Sequence, residues 1–418
     1  MKINEVLKKQ LEKIKLDEEE KEEVEAKTRD FLEEIRKNIK KNKIKAEVFV
    51  GGSLAKGTIV KREKQDIDIF VRFDKKYQDF ELSKLLEKLL KIKKIKTKRI
   101  HGSRDYFQVQ KGKGLVFEIV PTVKISKPEQ ARNVTDLSYF HVNYIKDKIR
   151  QKPKLAEEIM LSKAFSYASN CYGAESYING FSGYALELLV TYYRGFLNFL
   201  KAVIKLKVNN QEKIVLDPKK HYKEKHKVLF EINESKLSGP IIFIDPTFKH
   251  RNALAALSYE TLLKFKERAK DFLKNPSDKF FEKREPEEKE YNLVVEASTK
   301  RQRGDIAGSK LRKFHEFLIY SIKRSFNINK TEFFYDEEKN IGRLYFKVSL
   351  KEQKQLLIYG PVVTNVYHLK RFKKKHPKAF IKKGRAYAKQ KQVTVNEFLT
   401  KFKKENKKII KDMDVTLR

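Results

Sequence analysis

A single cysteine, Cys171, stands in 418 residues, so no disulfide can close within the chain. The eight histidines are scattered, with no Cys/His spacing that would hold structural zinc, and tryptophan is absent. No apolar run approaches the ~18 residues of a membrane span. The N-terminal stretch MKINEVLKKQLEKIKLDEEEKEEVEAK is charged throughout and lacks the apolar centre of a secretory signal. These absences lead to the expectation of a soluble, cytoplasmic protein. Acidic residues are the other shortage: 56 Asp and Glu face 95 Lys and Arg, a formal net charge of +39. That excess points to a polyanionic partner; a lysine-rich proteome, in keeping with the abundant Ile and Phe, is the competing explanation.

At roughly 100–200 residues per domain the length suggests two to four domains. The first segment, to about Lys43, has apolar residues at helix spacing, and its acidic cluster Asp17 to Glu20 reads as a solvated helical face. Strand-like runs follow: AEVFV (Ala46 to Val50), DIDIFVRF (Asp66 to Phe73), DYFQVQ (Asp105 to Gln110) and GLVFEIVP (Gly114 to Pro121). They interleave with a helix-like run from Leu82 to Lys94, giving a mixed α/β unit over residues 1–128. Residues 129–275 read as mainly helical, with a basic insertion between Lys207 and Lys227. Residues 276–360 contain a strand–helix–strand–strand pattern, from Tyr291 to Leu350. The last 58 residues, 361–418, hold 18 Lys and Arg against 4 Asp and Glu, a net +14, and are expected to form a basic tail. There is no long-period repeat and no Gly/Ser-rich linker; Pro276 to Glu290 is the best boundary. The expected class is α+β, in several domains.

The motif with chemical content is GGSLAKGTIVKREKQDIDIF, Gly51 to Phe70. Side chains alternate faces along a strand, so Asp66 and Asp68 point the same way while Ile67 and Ile69 can enter a core. Two adjacent carboxylates repel, and a pair of divalent cations such as Mg²⁺ is the usual compensation. Glu118, isolated in the apolar run LVFEIVP, is the candidate third carboxylate. The turn Gly51-Gly52-Ser53 closes one strand and opens a helix-like segment, thirteen residues before Asp66, so its N–H groups and the Ser53 hydroxyl can cradle phosphate oxygens. Together these describe a site for a nucleoside triphosphate and two metals.

GGSLAKGT followed by DIDIF resembles the signature of the polymerase-β-type nucleotidyltransferase superfamily. CYGAESYINGFSGYALELLV (Cys171 to Val190) and FIDPTFKHRNALAALS (Phe243 to Ser258) are similar to segments of the archaeal, class I CCA-adding enzymes, which build the 3′-terminal CCA of tRNA without a template. The resemblance runs on through GPVVTNVYHLKRFKKKHPKAFIKKGRAYA (Gly360 to Ala388). It implies a polymerase-β-like palm, a helical middle domain that binds nucleotide, a small βαββ domain that binds RNA, and a basic tail that contacts tRNA. By resemblance, Asp66, Asp68 and Glu118 take the metal-binding positions, with Glu118 where the family usually has Asp. Gly52, Ser53 and Lys56 fall at the phosphate-gripping turn, Lys56 where the family often has Arg. Ser138, His141, Lys163 and Tyr172 match positions that hold triphosphate and sugar, and Arg251 matches the arginine that helps read the base. Expected ligands are two Mg²⁺ ions, with Mn²⁺ an alternative, ATP and CTP, and the acceptor and T arm of tRNA.

Read without the resemblance, Lys163 fits a solvated lysine on a helix, Tyr172 fits ordinary core and His141 a satisfied packing histidine. Arg251, in an otherwise apolar stretch, is harder to assign to structure alone. The rival enzymes sharing the carboxylate triad are a poly(A) polymerase and an oligonucleotide second-messenger synthase. A rival of another class is an RNA-binding homologue whose catalytic head has lost activity. The sequence leaves oligomeric state open, a homodimer included.

Overall fold

Helix α1 (Ile3–Ile14) is followed by the long helix α2 (Glu18–Lys41), which opens on its own cap. The Asp17 side chain accepts from the Glu20 N–H at 2.8 Å, and the Glu20 carboxylate accepts from the Asp17 N–H at 3.2 Å. The acidic cluster therefore starts a helix, with its charge at the positive end of the helix dipole; its expected reading as a solvated face missed this capping role. Lys61 Nζ lies 2.5 Å from Glu20 Oε1 and ties that start to the loop ahead of Asp66.

The computed structural model describes residues 2–91, 95–102, 104–112, 114–207, 212–224, 226–283, 285–351, 357–389 and 393–417. It divides into two compact units, one of Met1–Ala174 with Ile178–Lys283 and one of Glu175–Tyr177 with Arg284–Arg418. In the first, α2 leads into β1 (Ala46–Val50), the single-turn α3 (Gly52–Ala55), β2 (Gln65–Phe73), α4 (Asp79–Leu89), β3 (Thr97–Ile100), β4 (Tyr106–Gln110) and β5 (Leu115–Val123). The strands form one sheet in the order β1-β2-β5-β4-β3, in which β2 and β5 run parallel and the other neighbours antiparallel. Ile67, Ile69, Val71 and Phe73 point to one face of β2 and are buried with Phe31, Leu32 and Ile35 of α2 and Leu82, Leu86 and Leu89 of α4. Each such side chain contributes about 1.5–3 kcal/mol, so the strand's register is fixed and its other face is left to Asp66 and Asp68. Residues 92–94, the end of the helix expected from Leu82, lie outside the described residues, as do 208–211 and 225 of the basic insertion.

The same unit continues with α5 (Ser138–Gln151), α6 (Leu155–Ala168), α7 (Gly183–Tyr192), α8 (Phe196–Lys205), β6 (Ile214–Leu216), α9 (Lys227–Glu231), β7 (Ile241–Asp245), β8 (Phe248–Asn252) and α10 (Tyr259–Lys274). A phenylalanine-rich core built on Phe165, Phe181, Phe196, Phe199, Phe265 and Phe272 joins α6, α7, α8 and α10. The segment is not helical throughout: IIFID and FKHRN form a hairpin in a small β6-β7-β8 sheet. The run IIFI, β-branched and aromatic and buried at every position, favours a strand, and Pro246 punctuates it.

The second unit holds β9 (Leu293–Thr299), α11 (Gly304–Ile322), β10 (Phe326–Asp336), β11 (Ile341–Leu350), β12 (Leu357–Val362), α12 (Val366–Lys375), β13 (Phe380–Lys382), β14 (Arg385–Lys389), α13 (Val395–Glu405), α14 (Lys407–Asp412) and β15 (Val415–Leu417). The βαββ pattern is present. Its sheet, ordered β10-β11-β9-β15, takes its fourth strand from the end of the chain, and β12, β14 and β13 make a separate sheet. The segment expected as a tail is thus folded. Phe402, Ile410 and Val415 are buried against α11 residues such as Leu311 and Phe314; the lysine excess conceals this apolar periodicity.

His315 on α11 is buried, its Nε2 2.8 Å from Thr331 Oγ1 and its ring beside Phe333 and Phe346. Burial, reinforced by Arg312, pushes its pKa down to about 3. An unfolded histidine titrates near ~6.5, so below that pH the unfolded chain binds the extra proton. Stability from the neutral ring is present above pH 6.5 and is lost progressively as the pH falls toward 3. His315→Phe should flatten this stretch of the pH–stability curve of the second unit. An unchanged slope in denaturant titrations at stepped pH would assign the acid sensitivity to other groups.

Candidate active site

β1 ends at Val50, opposite Ile69, and the Gly51 N–H donates to the Asp68 carbonyl at 2.8 Å. The chain then turns into α3 through Gly52 at φ +55°; a Cβ built there would lie 1.7 Å from Asp68 Oδ2. The turn is drawn so tightly over the carboxylate that only glycine fits. The Thr58 N–H closes the turn onto the Ser53 carbonyl at 2.9 Å. On the neighbouring parallel strand Glu118 stands in register with Asp68, so the three carboxylates share one sheet face. Burial pushes the Asp66 carboxyl up, against the pull of Arg62 and Lys64. Burial likewise raises Asp68, where Lys56 opposes the shift and Asp66 adds to it. Glu118 Oε1 accepts from Gln108 Nε2 at 2.7 Å across the β4–β5 pair. Among the described residues no three His, Cys, Asp or Glu side chains converge into a finished cation cage. The hard oxygen donors, and the charge that burial makes costly on Asp66 and Asp68, nevertheless suit divalent cations.

Lys56 follows α3, and its Nζ lies 2.6 Å from Oε2 of Glu187 on α7. Lys163 on α6 donates to Glu187 Oε1 and to Thr58 Oγ1, each at 2.9 Å. The side chains of Lys56, Lys163 and Glu187 are 7%, 5% and 1% exposed, so Lys163 is not a solvated helix lysine. Burial works against the Glu187 charge, but Lys163 and Lys56 hold its pKa below the usual carboxylate range. Tyr172 joins Phe181 in an isolated parallel bridge. The Arg62 guanidinium stands 4.3 Å from the Tyr167 ring centroid and 5.0 Å from that of Tyr172. Burial raises the Tyr172 phenol, and Arg62 opposes this.

A second cluster gathers on Asp245 at the end of β7. Arg251 Nη1 donates to Oδ2 at 2.6 Å, His141 Nε2 lies 3.0 Å from the same oxygen, and Tyr184 Oη donates to Oδ1 at 3.0 Å. The Thr247 N–H and hydroxyl also donate to Oδ1. Burial opposes the Asp245 charge, yet His141, Arg251 and the Thr247 N–H hold the carboxyl far below its ordinary range. Burial pushes the His141 imidazole down, against the pull of Asp245. The His141 ring stacks on Tyr184, centroids 4.1 Å apart. Ser138, half-buried, begins α5 one turn before His141.

Residues 157–282 match the family model for the second domain of tRNA nucleotidyltransferase, and residues 1–138 match that of the Second Messenger Oligonucleotide or Dinucleotide Synthetase domain. The CCA-adding enzyme of Nanoarchaeum equitans is 35% identical over 345 residues, 82% of this chain and 83% of that protein. The chain belongs to the CCA-adding enzyme family. The Methanocaldococcus jannaschii CCA-adding enzyme is 30% identical over 405 residues, covering 92% of this chain and 87% of that one. Among solved structures, the Cid1 poly(U) polymerase with Mg and 3′-dATP shares the fold at TM-score 0.53 and 15% identity, over 67% of this chain and 98% of that one. A cytoplasmic RNA terminal U-transferase does so at TM-score 0.51 and 17% identity, over 68% of this chain and 100% of that one.

Membership makes the chain a nucleotidyltransferase, with nucleotide substrates and use of a divalent metal. Within its first unit, Asp66, Asp68 and Glu118 share a face, Lys56 and Lys163 meet on one carboxylate, and His141 and Arg251 meet on another. Thr58, Arg62, Gln108, Tyr184, Glu187 and Asp245 were not anticipated. For Glu187 in YALELLV and Asp245 in IIFIDP a signal was present: an isolated acid in an apolar run, as at Glu118. Among the described residues no helix is long and apolar enough to cross a membrane.

Proposed function

We propose that the carboxylate face of β2 and β5 is the transfer centre of an enzyme that adds C, C and A to the 3′ end of tRNA from CTP and ATP without a template. The observation that carries this reading is the seating of Lys56 and Lys163 on one buried carboxylate, with their charges felt at Asp68, in a member of the CCA-adding family. Asp66, Asp68 and Glu118 would hold two divalent cations, Mg²⁺ or Mn²⁺; when bound, these acidify the tRNA 3′-hydroxyl and offset the charge of the triphosphate and departing pyrophosphate. Ser53, the N–H groups of its turn, Lys56 and Lys163 take triphosphate oxygens. Ser138, His141 and Tyr172 hold sugar and triphosphate. Asp245 fixes one arm of Arg251, whose other N–H donors face the base, so a base lacking matching acceptors leaves a polar group unpaired and is rejected. In the transfer, the 3′ oxygen bonds to the α-phosphorus, its proton passes to solvent, and the bond to the bridging oxygen breaks. Pyrophosphate leaves with that electron pair.

Residues 357–389 contain ten Lys and Arg and no Asp or Glu, with Tyr359 and Tyr367 well exposed. This supports contact with the acceptor and T arm through phosphates and 2′-hydroxyls. The test is to incubate the protein with tRNA ending at the discriminator base and each labelled nucleotide, then size the products. Three additions, in the order C, C, A, and then arrest are expected. Long A tails on unrelated RNA would instead favour a poly(A) polymerase. Short oligonucleotides made from triphosphates alone would favour the second-messenger synthase that the match over residues 1–138 suggests.

A further inference from the structure

Glu187 sits in the middle of α7 with its side chain 1% exposed, and both its oxygens face ammonium groups, Lys56 on one and Lys163 on the other. Thr58 Oγ1, which accepts from Lys163, lies 3.5 Å from Glu187 Oε1. Stability alone gives little reason for this arrangement, because buried ion pairs are often matched or bettered by apolar residues of similar volume. Its location suggests another reason: two buried lysines, one of them ending the short helix whose first residue, Gly52, lies tight against Asp68, carry with the one carboxylate between them a net charge of +1. A polyphosphate grip with both lysines uncompensated would be +2, and would hold the pyrophosphate product more tightly and release it more slowly.

We infer that Glu187 is a positioning residue that sets the charge of the polyphosphate grip, aiming Lys56 and Lys163 while weakening their hold enough for pyrophosphate to leave between successive additions. The inference rests on the reading that these two lysines hold the triphosphate. Tightly held product leaves slowly, and product release limits turnover in many enzymes, so moderating the grip favours turnover.

The experiment uses the full chain and tRNA ending in CC, so that one A is added per molecule, and measures kcat, KM for ATP and the inhibition constant of pyrophosphate. In Glu187→Gln the shape and one acceptor remain but the charge is gone. KM and the pyrophosphate inhibition constant should both fall about tenfold, with kcat reduced and tRNA affinity unchanged. Glu187→Asp, which keeps the charge, should leave the inhibition constant within about threefold of the parent. A role confined to folding would not tighten pyrophosphate. Should Glu187→Gln fail to fold, a second pair decides: Lys56→Met should weaken pyrophosphate, and adding Glu187→Gln to it, which returns the grip to +1, should restore it by about tenfold. Unchanged or weaker pyrophosphate binding on removal of the Glu187 charge, in either background, overturns the inference. If Lys56→Met and Lys163→Ala leave both constants unmoved, the triphosphate grip itself is wrongly placed.

Discussion

Alanine at Gly52 is expected to silence nucleotidyl transfer as thoroughly as Asp68→Asn, although it removes no functional group. The Cβ would fall 1.7 Å from Asp68 Oδ2, 2.6 Å from its Cγ and 3.0 Å from its Cβ, so the carboxylate must swing away or the turn must open. The backbone cannot yield cheaply. Gly52 lies at φ +55°, where an L-residue costs about 1–2 kcal/mol, and the Gly51 N–H is anchored to the Asp68 carbonyl. Asp68→Asn should retain tRNA affinity and thermal stability close to the parent, since the apolar face of β2 is untouched; Gly52→Ala should keep tRNA affinity and lose some thermal stability to the strained turn. Turnover should drop by orders of magnitude in each. Near-parental turnover in Gly52→Ala would show that the turn relaxes and that the tight approach to Asp68 has no catalytic purpose.

Much of this site was legible in the chain because its logic is local. The alternation of DIDIF fixes which side of β2 is core, and the Gly-Gly-Ser turn at the end of the preceding strand marks where the backbone opens toward that carboxylate face; the tight approach of Gly52 to Asp68 is seen only in the structure. Partnerships between distant segments were not legible. Lys163 meets Glu187 and Lys56 only because α6, α7 and the loop after α3 converge, and a helical lysine seen alone carries no sign of burial. Arg251 was singled out, but the hairpin that brings it onto Asp245 lies in a segment expected only to be mainly helical, since a short apolar run such as IIFI fits either element. In the C-terminal segment a net +14 drew attention to solvent and RNA. The few apolar residues that dock α13, α14 and β15 on the βαββ sheet decided its structure instead.

Glu118→Gln is expected to lower turnover by orders of magnitude with little change in tRNA affinity, and the β-sheet register explains why. Glu118 pairs with Asp68 on one side and with Gln108 on the other, and the Gln108 amide at 2.7 Å holds the carboxylate without neutralising it. If the three carboxylates hold the cations as proposed, a neutral glutamine there leaves Asp66 and Asp68 alone to do so. Glu118→Asp keeps the charge but shortens the reach, so part of the activity should survive. Mn²⁺ should support it better than Mg²⁺, which demands near-ideal octahedral geometry at about 2.0–2.1 Å. Gln108→Leu keeps the three carboxylates and removes only the amide donor; a milder loss is expected, showing whether the glutamine aims Glu118 or merely packs beside it. Asp105, just before β4, is an unsuitable substitute ligand, since Arg99 at 2.7 Å and His101 at 3.1 Å already take up its oxygens. If Glu118→Gln keeps parental turnover with either metal while Asp66→Asn and Asp68→Asn are dead, the cations are held by the β2 pair and the substrate's own phosphates, and Glu118 serves the sheet alone.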